Sequence, residues 1–125
     1  MQGAARLFFT LAIVYAIIGM ILGLSMGIAH DHSQFPTHAH IMLAGWASFA
    51  LFAFFYHLFP SINTTRIATV HFWLQTVSAI VMMFSLYLIY SGHPTMEAGA
   101  AVGSIGYGLG MLLFAYIALP AIWKN

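Results

Sequence analysis

The chain has 125 residues, 62% of them apolar and only 4% charged, with three Lys+Arg, two Asp+Glu, seven His and no Cys. An ordinary soluble domain has roughly a quarter of its residues charged. Five charged side chains therefore exclude a soluble enzyme, a nucleic-acid binder and a disordered chain. Without Cys there are no disulfides, iron–sulfur clusters or thiolate metal sites, so any redox or metal chemistry must run on histidine.

Four apolar runs follow in chain order, predicted as spans over 6–29, 38–60, 67–91 and 98–123 of a single domain, residues 1–125. At about 1.5 Å per residue, each crosses a hydrocarbon layer of roughly 30 Å. Lipid offers no partners to open backbone, and no run alternates at period two, so helices are predicted rather than a barrel. The breaks are short and hold Pro36, Pro60, Asn63, Gly92 and Pro94, which makes neighbouring helices antiparallel. The predicted fold class is thus all-α and integral to the membrane, a four-helix antiparallel bundle whose first partner is the lipid bilayer. The first run is too long for a signal peptide and lacks a small-residue cleavage site, so it is read as a span.

The charges sort by end. Arg6, Arg66 and Lys124 fall at one end of the spans, Asp31 and Glu97 at the other. The positive-inside tendency then puts both termini in the cytoplasm and the first and third loops outside. Gly19, Gly23 and Gly27 repeat every four residues in the first span, as do Gly99/Gly103 and Gly106/Gly110 in the fourth. Such stripes let backbones approach closely in lipid, either inside one bundle or between copies. Trp46, Trp73, Trp123 and the tyrosines read as interfacial anchors or core fill.

Histidine within a span is costly unless hydrogen-bonded or ligated, and so marks function. His30, His32, His38, His40 and His93 lie toward the acidic end, His57 and His71 toward the basic end. Residues two apart on a helix point about 200° apart. His38 and His40 therefore serve two cofactors on opposite flanks, or His38 sits in an unwound first turn and both meet on one metal. His71, Gln75 and Ser78, at i, i+4 and i+7, share a face expected to look inward. His30, Asp31 and His32, with His93 at the same level, are candidate copper or zinc ligands. His57 and His71 flank the second loop and form a candidate inner heme pair, with Arg66 placed for the propionates.

The run His38-Ala39-His40-Ile41-Met42 through Phe55-Tyr56-His57-Leu58-Phe59-Pro60 resembles the second helix of subunit I of the heme-copper oxidase superfamily, which includes the nitric oxide reductases. That helix opens with a histidine ligand to low-spin heme in an H-[AG]-x-x-M-like run and closes on an aromatic and a proline. His38 fits the His-to-Met spacing, and His40 fits the distance to the closing proline. His38-Ala39-His40 is also similar to the family's H-x-H pair, whose members serve different hemes. The family fold has three arcs of four helices, so the resemblance implies that this chain is one arc, with three copies needed to rebuild the ring. The copper ligands, the crosslinked tyrosine and the family's outer arginines, which hold heme propionates, have no counterpart here, so reduction of oxygen or nitric oxide is not implied. What the resemblance implies is a b-type heme protein of a respiratory membrane such as the bacterial inner membrane. It would carry electrons through a bis-histidine heme on His38 and His40, in a homotrimer. The alternatives are a copper- or zinc-binding membrane protein and a cofactor-free assembly subunit of a respiratory complex.

Overall fold

The first run becomes helix α1, Gly3–Ala29, and its start is built by a residue from elsewhere in the chain. Asn63 Oδ1 accepts from the Ala5 N–H at 2.8 Å, and Asn63 Nδ2 donates to the Gln2 carbonyl at 2.7 Å. No side chain at Gln2 caps the helix, so the buried Asn63 supplies the acceptor that the first turn lacks. Gly3, at φ +56°, lies beneath it, where a Cβ would come 2.7 Å from the Asn63 carbonyl oxygen. His30 ends α1 in the left-handed region, its N–H on the Met26 carbonyl.

The computed structural model describes residues 1–124. The second span starts at Phe35, three residues before the predicted 38, because Pro36, which has no N–H, fits a first helical turn where an N–H would find no acceptor within the helix. It comprises α2 (Phe35–His40), a π-helical stretch (Ile41–Ala47) and α3 (Ser48–Leu58). A short α4 (Pro60–Asn63) leads to α5 (Arg66–Tyr90), capped where the Ala68 N–H donates to Thr65 Oγ1 at 3.3 Å. A 3-10 turn (Pro94–Met96) enters α6 (Glu97–Trp123), which has an acidic residue in its first turn where the helix dipole favours it. Four helical stretches, Gly3–Ala29, Phe35–Leu58, Arg66–Tyr90 and Pro94–Trp123, are long and apolar enough to cross a membrane, and no strand occurs among the described residues.

The spans pack as two hairpins, α1 on the second span and α5 on α6. Aromatic rings join them. Phe8 of α1 lies 5.2 Å from Phe49 and 5.1 Å from Phe72, and Phe114 of α6 lies 4.7 Å from Phe52. The glycine stripes are spent inside the chain. Gly99, Gly103, Gly106 and Gly110 lie against Ser85, Met82, Ser78 and Gln75 in turn, an antiparallel register along α5. Gly19 lies under Met42 and Ile41, and Gly23 under the His38 ring, while Gly27 meets open space. Of the two readings of the stripes, close packing within one bundle holds for all but Gly27. For the glycines other than Gly27, the alternative that they join neighbouring copies is corrected, because their surfaces are already covered within the chain.

Candidate functional site

His38 and His40 both lie in regular helix, so the unwound first turn is not formed. They face different ways. His38 is half-buried against α1, where a Cβ on Gly23 would come 2.9 Å from its Cε1, and His40 is exposed. His38 Nδ1 donates to the Gly19 carbonyl across the helix pair at 2.8 Å. His40 Nδ1 donates to the Pro36 carbonyl one turn back at 2.7 Å. A carbonyl oxygen can only accept, so in each ring Nδ1 carries the proton and the Nε2 lone pair is left for another group. A metal-bound histidine has this arrangement, with the far ring nitrogen anchored by a backbone or carboxylate oxygen.

The π-helical stretch follows both histidines at once. Its widened turns free carbonyls that side chains then take up: Ser48 Oγ donates to the Leu43 carbonyl at 2.8 Å and the Tyr107 hydroxyl of α6 to the Ala44 carbonyl at 2.7 Å. Gly45 sits within the stretch because the Tyr15 ring covers it, and a Cβ there would lie 2.6 Å from Tyr15 Cγ. Gln34 ties the same end to α5, its Nε2 donating to the Tyr87 carbonyl at 3.0 Å and to Ser91 Oγ at 2.9 Å, while its Oε1 accepts from Thr37 at 2.7 Å.

The polar face of the third span looks inward as expected, with His71, Gln75 and Ser78 all buried. His71 stands among the rings of Phe8, Phe52, Tyr56 and Phe114, with centroids 5.1, 4.9, 5.8 and 5.3 Å away. The Tyr56 hydroxyl and His71 Nδ1 share a hydrogen bond of 2.9 Å. His71 Nε2, both amide atoms of Gln75 and Thr76 Oγ1 are buried without a partner. An interhelical hydrogen bond in lipid is worth ~1 kcal/mol, so Tyr56→Phe should cost about that in wild type and nothing further in a His71→Leu background. Unfolding in mixed detergent micelles reads both, and equal losses in the two backgrounds would assign the bond no energy.

His57 and His71 do not meet. His57 is exposed, while its neighbour Tyr56, about 100° around the helix, takes the inward place. Arg66 is exposed and His71 wholly enclosed, so the inner heme pair with Arg66 is not assembled. His30, Asp31, His32 and His93 are all exposed, and among the described residues no three His, Asp or Glu side chains converge on one point. His30 instead turns the chain at the end of α1, and Asp31 accepts the Ser33 backbone N–H at 3.0 Å, which holds its carboxyl below the usual range. Sequence reasoning missed Tyr56, Asn63, Gln34 and Tyr107. Tyr56 alone had a signal, since Phe49, Phe52 and Tyr56 share one helix face at i, i+3 and i+7.

The chain is 30% identical over 122 residues to cytochrome c oxidase polypeptide 1 of Halobacterium salinarum, a match that takes in 80% of this chain. The chain spans about a fifth, 21%, of the length of that relative. No family model matches, and no solved structure does. The similarity is distant, and this chain brings four apolar helices to it.

Proposed function

We propose that this chain is a heme-binding electron-transfer protein of the membrane, related to the large subunit of respiratory oxidases, with His38 and His40 as axial ligands. The observation that carries this reading is the anchoring of both Nδ1 atoms on backbone carbonyls, at 2.8 and 2.7 Å. It fixes each ring and raises the basicity of Nε2, the donor that heme iron takes. A bis-histidine heme exchanges one electron and leaves no open position for oxygen.

The two imidazoles face different sides of one helix, so one iron is not held by both from the same chain. The reading therefore pairs His40 of one copy with His38 of the next. A trimer closed by threefold symmetry satisfies every such pair. The face that carries His40, Leu43 and Leu51 is exposed, and in this pairing a neighbour would cover it.

Absorption spectroscopy of protein purified from heme-replete cells tests the reading. A Soret band that shifts on reduction with dithionite is expected. Colourless protein with full helical content would overturn it.

A further inference from the structure

Two cavities on the seam of α1 and α5 share Leu22 and Tyr87 and so run end to end. The deeper one, about 290 Å³, is walled by Tyr15, Ile18, Ile41, Ile80, Met83 and Phe84. The outer one, about 220 Å³, is lined by Ser25, Asp31, Ser33 and Gln34. Along α1 the combined groove runs from Tyr15 to Ala29, about 21 Å at ~1.5 Å per residue. One leaflet of hydrocarbon is roughly 15 Å, so this length takes in a leaflet and the polar layer above it. The groove is apolar where it is deep and polar where it reaches the surface, as an amphiphile is.

Charge selects the headgroup. Asp31 is the sole charged side chain lining either cavity. Its Oδ1 accepts the Ser33 backbone N–H, and the side chain is otherwise exposed. Arg6 and Arg66 stand at the starts of α1 and α5, and Lys124 lines a cavity with Phe59 and Ile62, all at the opposite end of the spans. An anionic headgroup would thus meet a carboxylate with no lysine or arginine beside it. An ammonium would meet its counter-charge, forming a charge-assisted hydrogen bond.

We propose that this groove binds a phospholipid with an ammonium headgroup, of the phosphatidylethanolamine type, its ammonium on Asp31 and one acyl chain between Ile80, Phe84 and Ile18. Gln34 keeps the groove open at the junction, because its amide is already held by Tyr87, Ser91 and Thr37 and does not fold across the mouth. The site is separate from the Nε2 atoms of His38 and His40 and stands whether or not heme is bound.

Native mass spectrometry of the full chain in detergent, with phosphatidylethanolamine or phosphatidylglycerol added, tests this. One phosphatidylethanolamine per chain is expected, preferred over phosphatidylglycerol by about threefold, the factor an ion pair at an exposed carboxylate supplies. Asp31→Asn should abolish the preference while leaving helical content unchanged. Ile80→Trp, at a side chain 53% exposed, should fill the deeper cavity and reduce retention of phosphatidylethanolamine without unfolding the chain. Equal retention of the two lipids, a preference that survives Asp31→Asn, or retention unchanged by Ile80→Trp would each overturn the site. So would displacement of phosphatidylethanolamine by an equimolar lipid-soluble quinone. Heme absorbance read in the same samples keeps failure here distinct from failure of the heme reading.

Discussion

Gly103→Val is expected to cost about 3 kcal/mol of stability, the upper end of what overpacking does in a filled core. A Cβ on Gly103 would lie 2.5 Å from the backbone nitrogen of Met82 and 2.7 Å from its Cα. Backbone does not rotate aside as a side chain does, so α6 must move away from α5. That movement would strip contacts along the whole register from Gly99/Ser85 to Gly110/Gln75. Dispersion and close approach, rather than the hydrophobic effect, hold helices together in lipid, so little compensates for the lost contact. Gly108, which meets open space on the same helix, is the control, and Gly108→Val should stay within about 0.5 kcal/mol of wild type. Equal losses for the two variants, measured by unfolding in mixed micelles, would show that the α5–α6 seam tolerates separation.

His38→Ala and His40→Ala should each lower heme content about tenfold or more, because in the proposed pairing every iron takes one ring of each kind. Either variant leaves each iron one histidine, whether the two rings come from one chain or from neighbours, so the spectra report ligation and the mass of the assembly reports the pairing. Mass in detergent accompanies the spectra, with a trimer expected. A heme-loaded monomer would end the pairing between copies, and loss of heme in His38→Ala alone would assign the iron to His38 with a different second ligand. Tyr107→Phe, which removes the hydroxyl from the Ala44 carbonyl, leaves both histidines in place and controls for loosening of the π-helical stretch.

Much of the architecture was legible because lipid imposes it. Backbone in hydrocarbon must bond within its own segment, so an apolar run of sufficient length has one outcome, and the four runs became four helices with ends shifted by a few residues. The shift at Phe35 came from reading Pro36 as a breaker, when its missing N–H costs nothing in a first turn. The inward face of His71, Gln75 and Ser78 was equally legible, since helical spacing alone places three polar groups on one side and lipid drives that side toward the interior.

The sequence by itself therefore determined the helix count and the sorting of charge to the two ends, while the regular helix through His38 and His40 was settled by the structure. The count and the sorting follow from local geometry and from the cost of placing charge or open backbone in hydrocarbon. Only the tertiary structure decided which atoms meet. Spacing puts His57 and His71 near the same loop, yet a rotation of about 100° gives the inward place to Tyr56. A glycine stripe reads the same whether a neighbouring helix or a second copy lies on it, and only packing shows Ser85, Met82, Ser78 and Gln75 there. The carbonyl of Gly19 that fixes the His38 ring, and Asn63 that caps α1, are 19 and 58 residues distant in the chain from their partners. Such contacts have no local period to announce them, because they depend on how two helices rotate about their own axes when their side chains interlock.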